Sequence, residues 1–145
     1  MPLPSRGWYW SLSHCPSSVV GVVHACPVGV DVESLRTVRS DVAARVLSES
    51  ELALFERRGE LEFLRAWTGK EAVLKEFGVG LAGLERCRIV AVHDTRLELR
   101  FDGHSRVVHQ SLQPRRVVSL SSADGAPPEF LVLDQPLLEP HEVQP

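Results

Sequence analysis

The sequence predicts an α+β domain in which an antiparallel sheet packs against one long central helix. Three observations lead there. Short apolar strand patterns crowd residues 8–33, an unbroken helical pattern fills 61–77, and alternating apolar and polar segments fill 88–121. Strands, then helices, then a meander is the order of an α+β chain and not of repeated βαβ units. The domain is expected over residues 1–134, with the proline-rich, acidic stretch 135–145 as a loose tail.

Composition narrows the classes. The 145 residues make about one domain, long enough for a single core. A formal charge of −3 argues against a nucleic-acid or membrane partner, and no apolar run is long enough to span a bilayer. Residues 1–10 carry neither a basic start with an apolar core nor a small-residue cleavage site, so no secretory signal is expected. Cys15, Cys26 and Cys87 are an odd set without a C-x-x-C, which suggests reduced thiols in a cytoplasm. Neither His14-Cys15 nor His24-x-Cys26 has a zinc-ligand spacing, and no zinc site is expected.

The elements follow in order. Trp8-Tyr9-Trp10-Ser11-Leu12-Ser13 reads as extended, Cys15-Pro16-Ser17-Ser18 as a turn, and 19–25 as a returning strand. Cys26-Pro27 breaks that strand, and 28–33 follows as another. Its period of two puts Val28, Val30 and Val32 on one side and both Asp31 and Glu33 on the other. Two carboxylates on one strand face repel. Either they lie on a solvated edge that resists aggregation, or they hold a divalent cation.

Residues 35–39 read as a connector and 41–46 as a short helix. Ser48-Glu49-Ser50-Glu51 fits a capping box opening a helix over 49–57. Gly59 separates it from the central helix, and the glycine-rich 78–83 reads as a loop without a nucleotide fingerprint. Strands are expected at 88–92, 96–101, 106–110 and 117–121, with Asp102-Gly103 as a hairpin turn and 130–133 as a further candidate strand.

On the central helix, Phe63, Ala66, Trp67, Val73, Leu74 and Phe77 gather on one broad apolar face, and Arg65, Gly69 and Glu76 are expected on the solvent side. Glu71 falls between Trp67 and Leu64 at the border of the apolar face, one turn before Lys75. Taken alone, Glu71 and Lys75 read first as a surface ion pair on a helix whose job is packing. A carboxylate between an indole and a leucine nevertheless bears a desolvation cost unless a cation meets it.

Three blocks recur in order: Ser11-Leu12-Ser13-His14, Gly29-Val30-Asp31-Val32-Glu33, and Trp67-Thr68-Gly69-Lys70-Glu71-Ala72-Val73-Leu74-Lys75. Together they resemble the 4′-phosphopantetheinyl transferases, in particular the larger surfactin-synthetase-activating type, over about residues 10–122. The resemblance implies Mg²⁺-dependent transfer of the phosphopantetheine arm of coenzyme A to a serine of an acyl or peptidyl carrier protein, with release of 3′,5′-ADP. It implies that Asp31, Glu33 and Glu71 hold the metal and that Glu71 is the general base, directly or through water. Lys75 would bind the pyrophosphate, Ser13 and His14 would contact the 3′-phosphate, and Lys70 would pack the helix and be a candidate phosphate contact.

The surfactin type consists of two similar halves, and this chain begins just before the S-H block. Self-association into a homo-oligomer is the expected compensation, with the aromatic cluster Trp8, Tyr9 and Trp10 at the interface. The alternative to an enzyme is a catalytically weak module that binds coenzyme A or a partner chain.

Overall fold

The computed structural model describes residues 7–133. It contains β1 (Tyr9–Cys15), β2 (Ser18–His24), β3 (Val28–Ser34), α1 (Ser40–Val46), α2 (Glu49–Leu52), α3 (Glu60–Phe77), a 3₁₀ turn (Leu81–Arg86), β4 (Cys87–Val92), β5 (Arg96–Phe101), β6 (His104–Gln113) and β7 (Arg116–Ser122). The α+β class holds. β1 and β2 form an antiparallel hairpin, and a second, antiparallel sheet runs β3-β7-β6-β5-β4. The tail expected at 135–145 lies outside the described residues.

α3 lies across β3 and β7. Its crossing point is set by Gly29. A Cβ there would come within 2.0 Å of the Ala72 carbonyl oxygen and 2.5 Å of the Glu76 nitrogen, so only glycine lets helix and strand approach this closely. Beyond Gly29 on the same face of β3 come Asp31 and Glu33, which places both under the helix rather than on a solvated edge. Val30 and Val32 face the other way and form a small core with Cys15 and Val118 against the hairpin. The main core lies between α3 and the other strands of the larger sheet, where Phe63, Ala66, Val73 and Leu74 meet Val46, Leu47, Phe55, Ile89, Leu97, Leu99 and Phe101.

The hairpin does not join the larger sheet through its backbone. Instead, Val30 N–H donates to Ser11 Oγ at 3.1 Å and Val32 N–H to Ser13 Oγ at 3.2 Å. β3 is an edge strand, and these hydroxyls occupy its outward amides.

Four expectations are corrected. Arg65, Gly69 and Glu76 do not face solvent but are buried against the sheet. Arg65 Nε donates to Gln110 Oε1 at 2.7 Å, and Arg106 grips Glu76 through Nε and Nη2 at 2.8 and 3.0 Å. A polar seam, completed by Thr68, Ser119 and Ser121, thus runs under a helix whose apolar moment points elsewhere. The helix opened by Ser48 ends at Leu52, well short of 57, although its capping box forms. Part of the expected loop at 78–83 winds into the 3₁₀ turn. Residues 130–133 form no strand, because no sheet edge pairs with them. The Asp102-Gly103 turn forms as expected, both residues taking positive φ (47° and 81°), as a tight hairpin of this twist requires.

Candidate active site

With most of α3 buried against the sheet and the core it shares with it, the helix keeps one partly open stripe. It carries Trp67, Glu71 and Lys75, at successive i+4 positions. The stripe looks onto the β3 face that carries Asp31 and Glu33. Lys75 Nζ donates to Asp31 Oδ1 at 3.0 Å and to the Val30 carbonyl at 3.1 Å. Ser13 Oγ donates to the same Asp31 oxygen at 2.9 Å.

That leaves acid in excess. Asp31 Oδ2 and Glu71 Oε1 are both buried and have no hydrogen-bond partner among the described residues. Burial pushes the Asp31 carboxyl up, with Lys75 pulling it back only in part. Burial and then the Asp31 charge push Glu71 up, and the same two causes raise Glu33. Three carboxyls raised together by desolvation and mutual repulsion are a site short of positive charge. An all-oxygen donor set of this kind suits a hard divalent cation such as Mg²⁺. The two orphaned oxygens are the observation on which that fit rests. The three carboxylates are not drawn in as tightly as His24, Cys26 and Asp124, whose ligand atoms all lie within 4.8 Å of one another.

The remaining sequence-predicted residues separate. His14 is exposed on the outer face of β1. Ser13, expected beside it on a phosphate, is turned inward to Asp31 and the Val32 amide, because adjacent strand residues face opposite ways. Lys70, expected to pack the helix and a candidate phosphate contact, faces the interior. It is 2% exposed, with Nζ 2.9 Å from Glu51 Oε2 and 2.5 Å from the Val46 carbonyl, on the side of α3 away from the pocket. Glu51 in turn accepts from Ile89 N–H at 2.8 Å, so its carboxyl stays below the ordinary range despite the desolvation that opposes this. Sequence reasoning gave Ser11 only as part of a motif, and the signal for its edge-closing role was its alternation with Ser13.

A cluster of acids beside a lysine, between a helix and a strand, is the kind of arrangement that can meet an anionic group through a cation. Residues 27–124 match the sequence profile of the 4′-phosphopantetheinyl transferase superfamily. The chain belongs to that superfamily. It is 32% identical over 102 residues to 4′-phosphopantetheinyl transferase psf-1 of Bacillus pumilus, an overlap of 67% of this chain and 44% of that relative. Identity to Enterobactin synthase component D of Salmonella typhi is 28% over 105 residues, covering 68% and 45% of the two. With a 4′-phosphopantetheinyl transferase of Bacillus subtilis it is 24% over 127 residues, covering 85% and 48%. The chain therefore spans about half the length of the curated relatives it matches. No helix among the described residues is long and apolar enough to cross a membrane.

Proposed function

We propose that this chain carries the metal-binding and catalytic residues of a cytoplasmic, Mg²⁺-dependent 4′-phosphopantetheinyl transferase. It would move the phosphopantetheine arm of coenzyme A onto a serine of an acyl or peptidyl carrier protein. The single observation that supports this most is the acid surplus under α3, with buried oxygens of Asp31 and Glu71 unpartnered. Asp31, Glu33 and Glu71 would hold the Mg²⁺, which when bound neutralises the pyrophosphate and its developing charge.

The chain's own residues do the rest. The carrier serine oxygen bonds to the phosphorus that bears pantetheine, and the bond from that phosphorus to the bridging oxygen breaks, releasing 3′,5′-ADP. Glu71 takes the serine proton directly or through a water. Lys75 is fixed by Asp31 and the Val30 carbonyl beside the acids, where its ammonium would meet the pyrophosphate and the leaving group. Ser13 orients Asp31. His14, free on the outer face, is the residue left to meet the 3′-phosphate.

A second reading, a weak coenzyme A-binding or interaction module that needs a partner chain, draws support from the outer face of the hairpin. Trp10 (42% exposed), Leu12, Val19 (80%) and Val23 lie together there. The same patch supports the expected homo-oligomer. Incubation with coenzyme A, Mg²⁺ and a panel of apo carrier proteins, read by intact mass, tests the transferase. A mass gain on a carrier that EDTA abolishes supports it, and coenzyme A binding without any gain supports the module. Light scattering at micromolar concentration reports self-association, and a monomer active at full rate would refute that part.

A further inference from the structure

We infer that His24, Cys26 and Asp124 form a second metal site, of the zinc type, that ties the end of the β1–β2 hairpin to the end of the large sheet. The site follows from strand register. β3 and β7 pair with Val28 opposite Ser122, and continuing that antiparallel ladder two residues further sets Cys26 opposite Asp124. The pairing extends one residue that way, since Ala123 N–H donates to the Pro27 carbonyl at 3.0 Å, before the chain bends at Cys26 and turns at Asp124. β2 ends on His24, whose Nε2 lies 2.8 Å from Asp124 Oδ2.

Asp124 is prepared for a ligand. Its Oδ1 accepts from Ser122 Oγ at 2.9 Å and from Ala126 N–H at 3.2 Å, which leaves Oδ2 turned to His24. Together with Cys26 Sγ, the three ligand atoms all lie within 4.8 Å of one another. Tetrahedral zinc with bonds of about 2.0–2.3 Å sets its ligand atoms roughly 3.3–3.8 Å apart. The histidine and aspartate would open by about half an ångström, and the cysteine would close by a rotation of its side chain, to meet that geometry. A neutral imidazole, a thiolate and a carboxylate balance the dication, and the thiol proton leaves to solvent on binding. An adjoining cleft of about 250 Å³, lined in part by His24, Ser122 and Glu129, has room for a water as fourth ligand.

Nitrogen, sulfur and oxygen donors select a borderline metal such as Zn²⁺ over Mg²⁺. The site is separate from the acid pocket. Cys26 and Asp31 are five residues apart in a nearly extended run, or roughly 16 Å at about 3.3 Å per residue.

The test is a titration of the purified chain with Co²⁺, a spectroscopic substitute for zinc, followed by Zn²⁺. We expect one equivalent of Co²⁺ to produce a thiolate-to-metal absorption that Zn²⁺ displaces and Mg²⁺ does not. Cys26→Ser should remove the absorption. Asp124→Asn and His24→Gln should each weaken Zn²⁺ binding by about 100-fold, at the upper end of what even an outer-shell change costs. Asp31→Asn should leave it intact. In a second measurement, Zn²⁺ should shield Cys26 from alkylation and raise the melting temperature of the wild type but not of Cys26→Ser. A thiolate band that survives Cys26→Ser, Zn²⁺ binding lost in Asp31→Asn yet kept in Cys26→Ser, or no binding at low micromolar metal would overturn the assignment.

Discussion

Lys70 and Glu71 are neighbours on one helix and are treated in opposite ways. Lys70 is as buried as a core leucine, yet Glu51 and the Val46 carbonyl answer its charge, and Glu51 has the Ser48 and Ile89 amides besides. Glu76, two turns on, is likewise answered by Arg106 and Ser121. Glu71 is less buried than either, but its neighbours Asp31 and Glu33 repel it and one oxygen has no partner. Depth of burial therefore does not separate a structural charge from a working one. Completion of its partners is what differs: the buried Lys70 and Glu76 have theirs, and Glu71, the base and metal ligand proposed above, does not.

The contrast breaks most visibly at Glu71. Glu71→Gln should lower the transfer rate by about 10²–10⁴, the range for a positioned base, in the mass assay at saturating Mg²⁺. Its stability should be equal or higher by about 1 kcal/mol, as when a strained site is relaxed. Near-normal turnover would remove Glu71 from the chemistry.

Lys70→Met is the mirror case. Leaving Glu51 buried without its cation should cost about 3–5 kcal/mol in urea unfolding, and adding Glu51→Gln should recover part of it because the amide still accepts from Ile89. Loss of activity without loss of stability would place Lys70 at the substrate instead.

A smaller effect separates His14 from both. His14→Ala should weaken coenzyme A by about 1.5–3 kcal/mol, the value of a charge-assisted contact, and leave 3′-dephospho-coenzyme A nearly unchanged. Equal losses in calorimetric titrations of the two ligands would make His14 structural.

The smallest effect is in pH. Asp31, Glu33 and Glu71 all bind protons more tightly when folded than when unfolded. With more protons on the native state, stability without metal falls as pH rises from the ordinary carboxylate range through the raised values, and then levels off. Mg²⁺ needs the ionised forms, so the rise in melting temperature that it produces should grow across the same window. Thermal melts with and without Mg²⁺ over a pH series check both slopes, and an opposite slope for the metal-free chain would contradict the acid surplus.

Much of this was legible in the sequence. The period of two in 28–33 put Asp31 and Glu33 on one face, and the structure brings that face under α3. Turn chemistry located the hairpins at Pro16 and at Asp102-Gly103, and the capping box at Ser48 formed. The polar underside of α3 was not legible. Arg65, Thr68 and Glu76 find their partners 30 to 51 residues away on β6 and β7, and helical periodicity registers only where apolar side chains fall. The packing role of Lys70 was legible but its partner was not, since Glu51 lies 19 residues off. The His24 and Cys26 spacing revealed nothing alone, because the third group, Asp124, is 100 residues from His24.

The hydroxyls of Ser11 and Ser13 have a consequence for solubility. An edge strand with free amides is a template on which a foreign strand can grow, and here the Val30 and Val32 amides are already spoken for by side chains of the hairpin. Their hydrogens should exchange with solvent slowly for an outermost strand. Replacing Ser11 with valine would keep the β-pattern of the segment while freeing one amide, so its damage should appear as aggregation on storage rather than as a slower enzyme.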